Sequence, residues 1–180
     1  MKLAIISFTA AGKDLSIRLS NALAQDSCIL FTTNKLADET VPSYGTDLNT
    51  WTGNAFSNYD GIVFISACGI AVRAIAPHLK SKTTDPAVVV ADEKGQFAIS
   101  LVSGHIGQPN ELPLSVAHAI QATPVITTAT DVNGLFSIDS WASRHHLFIS
   151  NMKIAKEISA RLLRGEPVGM TADWFVLPQL

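Results

Sequence analysis

The chain has 180 residues, 47% of them hydrophobic and 16% charged, with a net charge of −2. That length and apolar content suit one compact domain with a full core. A pI near 6.2 and the absence of any lysine/arginine run exclude a nucleic-acid electrostatic footprint. Two cysteines, Cys28 and Cys68, form neither a disulfide framework nor a metal-ligand spacing, so reducing cytosol is the expected compartment.

Lys2–Phe8 (KLAIISF) reads as a first buried strand rather than a signal peptide, because Thr9 and Gly12 follow at once and an amphipathic helix pattern begins. That helix is expected over Asp14–Ala24, with Leu15, Leu19, Ala22 and Leu23 on one face. Cys28–Thr32 is a second strand. Asn34–Tyr59 is polar and irregular and reads as a long connection holding at most a short helix. Gly61–Ala67 is a third strand and Gly69–Leu79 a helix with Pro77 near its end. The run GIVFISACGIAV, Gly61–Val72, is too short and too broken by glycine for a membrane span.

Ala87–Ala91 and Phe97–Val102 flank DEKGQ and read as a β-hairpin with Gly95 in the turn. A helix over Asn110–Gln121, a strand over Pro124–Thr128 and a helix over Ser137–His145 follow. Strands alternating with helices imply an α/β fold: a mostly parallel open sheet with helices on both faces and an added β-hairpin, a Rossmann-like three-layer arrangement. The domain is expected over residues 1–146. Residues 147–180 read as the start of a further region or a linker cut short, opening with an amphipathic helix over Asn151–Arg164 that Asn151 caps and Gly165 ends.

In open α/β sheets ligands bind outside the carboxyl ends of the strands. Four loops rich in small residues are expected there: Phe8–Asp14, Ser66–Arg73, Val102–Glu111 and Thr127–Gly134. They supply the binding candidates Gly69, Arg73, Ser103, Gly104, Gly107, Asn110, Thr128, Asp131 and Asn133, with Lys13 near the first helix. The first loop is no Walker A motif, and neither a G-x-G-x-x-G fingerprint nor a G-x-S-x-G elbow occurs. Cys68 reads as a small buried residue at a strand end before it reads as a nucleophile.

His105 is the candidate acid or base, since a loop histidine titrates near neutral pH. His78, His118, His145 and His146 read as surface residues. Pro113 lacks an N–H and fits only in the first helical turn, so the helix starts at Glu111 and Asn110 is its N-cap. Glu111 then meets the positive end of the helix dipole, which favours its carboxylate over its acid form. His105 and Glu111 are the catalytic candidates; no metal ligand set is found.

The segments R-A-I-A-P, K-x-T-D-P-A-V, S-G-H-x-G and V-I-T-T-A-T-D-V-N-G, in that order, resemble the N-terminal region of the CbiG family of cobalamin biosynthesis. The similarity covers most of Met1–Trp141. It departs at Gln108, Pro109 and Pro113, where the family carries glycine and alanines. The resemblance implies a cytoplasmic cobalt-precorrin-5A hydrolase of the anaerobic pathway, which opens a δ-lactone and releases acetaldehyde. It implies no cofactor, because the cobalt belongs to the substrate, and a small-molecule corrinoid as partner, with no nucleic acid and no membrane. Other enzymes of corrin synthesis and a second copy of the chain are the protein partners it allows. The alternative is a non-catalytic module that holds the corrinoid while another domain performs the chemistry.

Overall fold

A computed structural model describes residues 1–81, 84–103, 110–145, 147–169 and 171. The chain forms two compact units, Met1–Ile126 and Thr127–Leu180. The first is built on a six-stranded sheet of order β2-β1-β3-β4-β5-β6. The strands are β1 (Lys2–Ser7), β2 (Ser27–Phe31), β3 (Gly61–Ile65), β4 (Ala87–Ala91), β5 (Phe97–Ser103) and β6 (Thr123–Val125). The helices are α1 (Ala10–Ala22), α2 (Leu48–Asn58), α3 (Cys68–Ile75), which continues as a 3-10 turn over Ala76–His78, and α4 (Glu111–Ile120).

Strands β3 and β4 are buried at every position, as a sheet covered on both faces requires. Their side chains alternate between two cores. Leu3, Ile5, Val63, Ile65 and Val89 pack with Leu15 and Leu19 of α1 and with Leu112 and Val116 of α4. Ala4, Ile6, Ile62, Phe64, Val88 and Val90 pack with Trp51 and Ala55 of α2 and with Ala71, Ala74 and Ile75 of α3. This is the expected three-layer α/β fold.

Two elements differ from expectation. The Thr9 side chain accepts a hydrogen bond from the Gly12 N–H, so α1 starts at Ala10, and most of the expected first loop is its opening turn. The region read as a long connection holds the 11-residue α2, started by Asp47, whose carboxylate accepts from the Asn49 and Thr50 N–H groups. Trp51 of α2 sits edge-to-face on Phe31 and Phe64, and that aromatic anchor fixes the helix on the sheet.

Strand direction decides where the loops fall. β1, β2, β3 and β4 are parallel. The Asp92 carboxylate accepts from the Lys94, Gln96 and Phe97 N–H groups, Gly95 takes φ +70, and the chain reverses as expected. β5 therefore runs antiparallel to β4, with Ala91 opposite Ala98 and Ala87 opposite Ser103. β6 is parallel to β5 and so is also reversed. The four-loop expectation is corrected here. The loops after β1 and β3 leave the carboxyl edge of the parallel strands, but the loop after β5 leaves the amino edge, where β3 and β4 begin.

The second unit holds α5 (Ala129–Val132), α6 (Ile138–Arg144) and α7 (Met152–Leu163). Asn151 caps α7 by accepting from the Lys153 and Ile154 N–H groups, and Gly165 takes φ +73 just beyond it, both as expected. Phe136, Trp141 and His145 stack in series at 6.1 and 4.9 Å between centroids. A groove of about 330 Å³ between α6 and α7 is lined by Trp141, Leu147, Phe148, Ile154 and Ile158, among others.

Candidate functional site at the sheet edges

At the carboxyl edge, the strand order places the reversal of winding between β1 and β3, which is where ligands enter such sheets. That crevice is partly filled by the protein's own groups. The Thr9 hydroxyl, already the α1 cap, donates to Glu93 Oε2 at 2.8 Å, so a carboxylate of the β4–β5 turn stands at the N-terminus of α1. Lys13 is engaged by the protein itself. Its ammonium donates to the Leu36 carbonyl at 2.7 Å and pairs with Asp38 at 2.5 Å. Asp38 in turn accepts from the Thr40 and Val41 N–H groups. The Lys13 hydrogen bond holds the Asp38 carboxyl below the usual carboxylate range. These contacts tie the segment after β2 to α1.

Gly69 and Arg73 lie on α3 at this edge, both exposed. Arg73 Nη1 donates to the Gly69 carbonyl at 3.0 Å, and a Cβ at Gly69 would stand 3.0 Å from the same nitrogen. Cys68 is a free, half-buried thiol at the first position of α3.

The amino edge holds the other candidates of the first unit. Ser103 ends β5 and Glu111 opens α4, as Pro113 predicted. Residues 104–109, with His105, Gly104 and Gly107, lie outside the described residues. Asn110 is the N-cap by position but not by chemistry: its side chain makes no capping hydrogen bond. It is 2% exposed, adopts φ +66, and its Oδ1 accepts from the Ser100 hydroxyl at 3.1 Å. A left-handed residue here turns the chain into the helix, a conformation asparagine tolerates better than most. Glu111 is exposed at the helix start. A Cβ at Gly61 would stand 2.7 Å from Leu112 Cδ2 and 2.9 Å from Leu3 Cδ2, so glycine at the head of β3 is what lets α4 begin against this edge.

Two features of this edge were not anticipated. Asp85, just before β4, is 5% exposed, and its Oδ2 accepts from the Lys80 and Ser81 N–H groups at 2.9 and 3.0 Å. His78, expected at the surface, is half-buried; its Nε2 lies 3.0 Å from the Asn49 carbonyl and 2.8 Å from Asn49 Oδ1, and its ring lies over Phe56. Both partners are carbonyl oxygens, so Nε2 carries the proton. The signal available in the sequence was Gly53, where a Cβ would stand 2.9 Å from His78 Cε1.

Thr128, Asp131 and Asn133 belong to the second unit. The loop expected there is a one-turn helix: Thr128 precedes it, and Asn133 Nδ2 donates to the Ala129 carbonyl at 2.8 Å. All three residues are exposed. Among the described residues no group of three or more His, Cys, Asp or Glu side chains is arranged to hold a metal ion, and no helix is long and apolar enough to cross a membrane.

Residues 50–131 match the family described as Cobalamin synthesis G N-terminal. The chain is similar to two curated proteins, each named cobalt-precorrin-5A hydrolase. That of Salmonella typhimurium is 41% identical over 173 residues, covering 95% of this chain and 48% of its own length. That of Priestia megaterium is 33% identical over 173 residues, covering 94% and 46%. Among solved structures, a cobalamin biosynthesis protein G homolog from Sulfolobus solfataricus aligns with a TM-score of 0.55 at 25% identity, over 96% of this chain and 51% of that one. The chain spans about half the length of the curated relatives it matches.

Proposed function

The chain belongs to the cobalamin synthesis G family, and on that premise we propose that it hydrolyses the δ-lactone of cobalt-precorrin-5A in the cytoplasm during anaerobic corrin synthesis. The observation that carries this is the 41% identity to a cobalt-precorrin-5A hydrolase, sustained over 95% of the chain. Water adds to the lactone carbonyl, the ring C–O bond breaks, and a carboxylic acid and a hydroxyl on the two-carbon arm result. The bond between that arm and the macrocycle then breaks. Its electron pair and a proton stay with the ring, and the arm leaves as acetaldehyde. One water is consumed, and no electron is exchanged with a cofactor. Cobalt travels with the substrate, and the corrinoid is the partner this reading requires.

The roles follow from chemistry. His105 takes the proton of the attacking water, the general-base task for which a histidine side chain is suited near neutral pH. Backbone N–H groups of Gly104 to Gly107 meet the oxyanion that develops on the lactone. Glu111, as a carboxylate at the α4 N-terminus, orients the imidazolium or the water. Asn110 is buried against Ser100 and so fixes where Glu111 begins. Within the first unit Ser103 is proposed as a hydroxyl contact of the corrinoid; Thr128, Asp131 and Asn133 are proposed, separately, as the polar groups that the second unit offers to a corrinoid amide or carboxylate arm. Gly69 and Arg73, at the other edge of the sheet, take no part in the chemical step.

The test is an anaerobic incubation of the 180-residue chain with cobalt-precorrin-5A and a hydrazine trap for acetaldehyde. One equivalent of trapped acetaldehyde per corrinoid is expected. Intact corrinoid bound without acetaldehyde would return the chain to the role of a holding module.

A further inference from the structure

We infer that the outer edge of β2 is an interaction surface whose occupant is a second copy of this chain, joined by antiparallel β2–β2 pairing about a two-fold axis at Ile29. This concerns the end of the sheet away from β5 and stands apart from the chemistry proposed above.

The first observation is backbone direction. β2 ends the sheet and pairs with β1 alone. The Ser27 N–H donates to the Met1 carbonyl, and the Phe31 carbonyl accepts from the Ser7 hydroxyl, so the backbone groups of Ser27, Ile29 and Phe31 face β1. Those of the alternate residues face outward. Thr32 uses that outer side: its N–H donates to the Pro42 carbonyl at 3.0 Å and its carbonyl accepts from the Tyr44 N–H at 2.8 Å, a parallel bridge to Ser43. The end of the edge has already taken a further piece of strand. Cys28 and Leu30 present the same pair of groups, and among the described residues no strand pairs with them.

The second is the contrast between the two ends of the sheet. An open edge invites pairing unless it is blunted by shortness, proline, charge or a bulge. At the opposite edge, β6 is three residues long with Pro124 in the middle. β2 is SCILF, five residues with no charge and no proline, and its register with β1 runs unshifted from Ser27 to Phe31.

The third is register. Cys28 and Leu30 pack on the core beneath α1, and Phe31 is held by Trp51 and Tyr59 on the other face. Ile29 shares that other face and is 38% exposed. A two-fold axis at Ile29 sets Cys28 opposite Leu30 of the partner subunit, and Leu30 opposite Cys28 of the partner subunit. Each pair exchanges both N–H···O bonds, and the two Ile29 side chains meet between them as the close pair, with Cα atoms about 4.5 Å apart. Centring on Leu30 would need the outer groups of Thr32, and centring on Cys28 would need the Asp26 N–H, which donates to the Leu23 carbonyl. β2 begins at Ser27, so the second copy turns away before it reaches Ser43.

The experiment is sedimentation equilibrium of the full chain. Pairing through one short strand makes a weak dimer, so the mass is expected to rise from 19.2 kDa toward twice that as concentration passes through roughly 10–100 μM. Ile29→Lys sets like charges opposite each other and is expected to weaken association at least about tenfold. Its thermal melt, followed by circular dichroism, should stay close to wild type, because the side chain it replaces is exposed. In a chain carrying Cys28→Ala and Cys68→Ala, Ile29→Cys should oxidise to a disulfide-linked dimer, its Cα pair lying within disulfide range. Ser27→Cys should not, because the two copies of that position are offset by roughly 13 Å along the strands. A wild-type chain that stays at 19.2 kDa up to about 500 μM overturns the inference. So does a dimer that survives Ile29→Lys, or one that cross-links no better through Ile29→Cys than through Ser27→Cys.

Discussion

Phe64→Ala is expected to destabilise the first unit by about 3–5 kcal/mol. Phe64 is fully buried in the middle of β3, at the centre of the core shared with α2 and α3. Its ring takes the edge of Trp51 at 6.2 Å and 87°, a pair that adds to the burial itself. Truncation leaves a cavity between the sheet and helices α2 and α3, and β3, packed on both faces, cannot collapse into it. Against a total stability of roughly 5–15 kcal/mol, the loss is a large share. It should appear as a fall of roughly 6–20 °C in Tm, read by circular dichroism. Phe148→Ala is the contrast: that ring is 92% exposed, and its loss should cost within about 0.5 kcal/mol. Equal effects of the two variants would contradict the placement of the core.

His105→Ala is expected to lower kcat roughly 10²–10⁴-fold, the range for removing a positioned base, with KM little changed. The pH profile gives the signature. In wild type the rate should fall toward acid pH, as the imidazole takes up a proton and ceases to be a base. In His105→Ala that acid limb should be gone. Glu111→Gln keeps shape and removes charge, so it should lower kcat less than the histidine variant. A His105→Ala chain with full turnover and an unchanged profile would leave the base elsewhere.

Much of the fold was legible, for a physical reason. Strands buried on both faces are short, uncharged and β-branched, and Ala87–Ala91 was bounded to the residue. Pro113 placed the start of α4 because its missing N–H confines it to the first turn. α2 was hidden because Leu48–Asn58 is rich in Asn, Thr and Gly, weak helix formers that tertiary packing through Trp51 overrides. The Asp47 cap was the visible trace of it.

The candidate site was less legible. Its residues sit at strand ends, helix starts and the loops between them, which are positioned by strand direction rather than by their own composition. The hairpin turn at Gly95 was readable, and it carries the reversal of β5, which puts Ser103 opposite Ala87 at the amino edge, whereas Arg73 folds onto Gly69 on α3. The pairings of Lys13 with Asp38, of Thr9 with Glu93 and of His78 with Asn49 join residues 25, 84 and 29 positions apart, and no local pattern reports them. The buried Asp85 was likewise read only as part of a motif, because the Lys80 and Ser81 groups it accepts from are backbone N–H groups, which every sequence has.

The central claim is that the corrinoid is held at the amino edge of β4 and β5. Hydrogen–deuterium exchange of the chain, with and without cobalt-precorrin-5A under anaerobic conditions, tests it most directly. The account predicts slowed exchange on binding in peptides covering residues 79–87 and 100–113, and no change in peptides covering residues 8–14 and 66–74. Protection confined to the second pair, at the carboxyl edge, would contradict it.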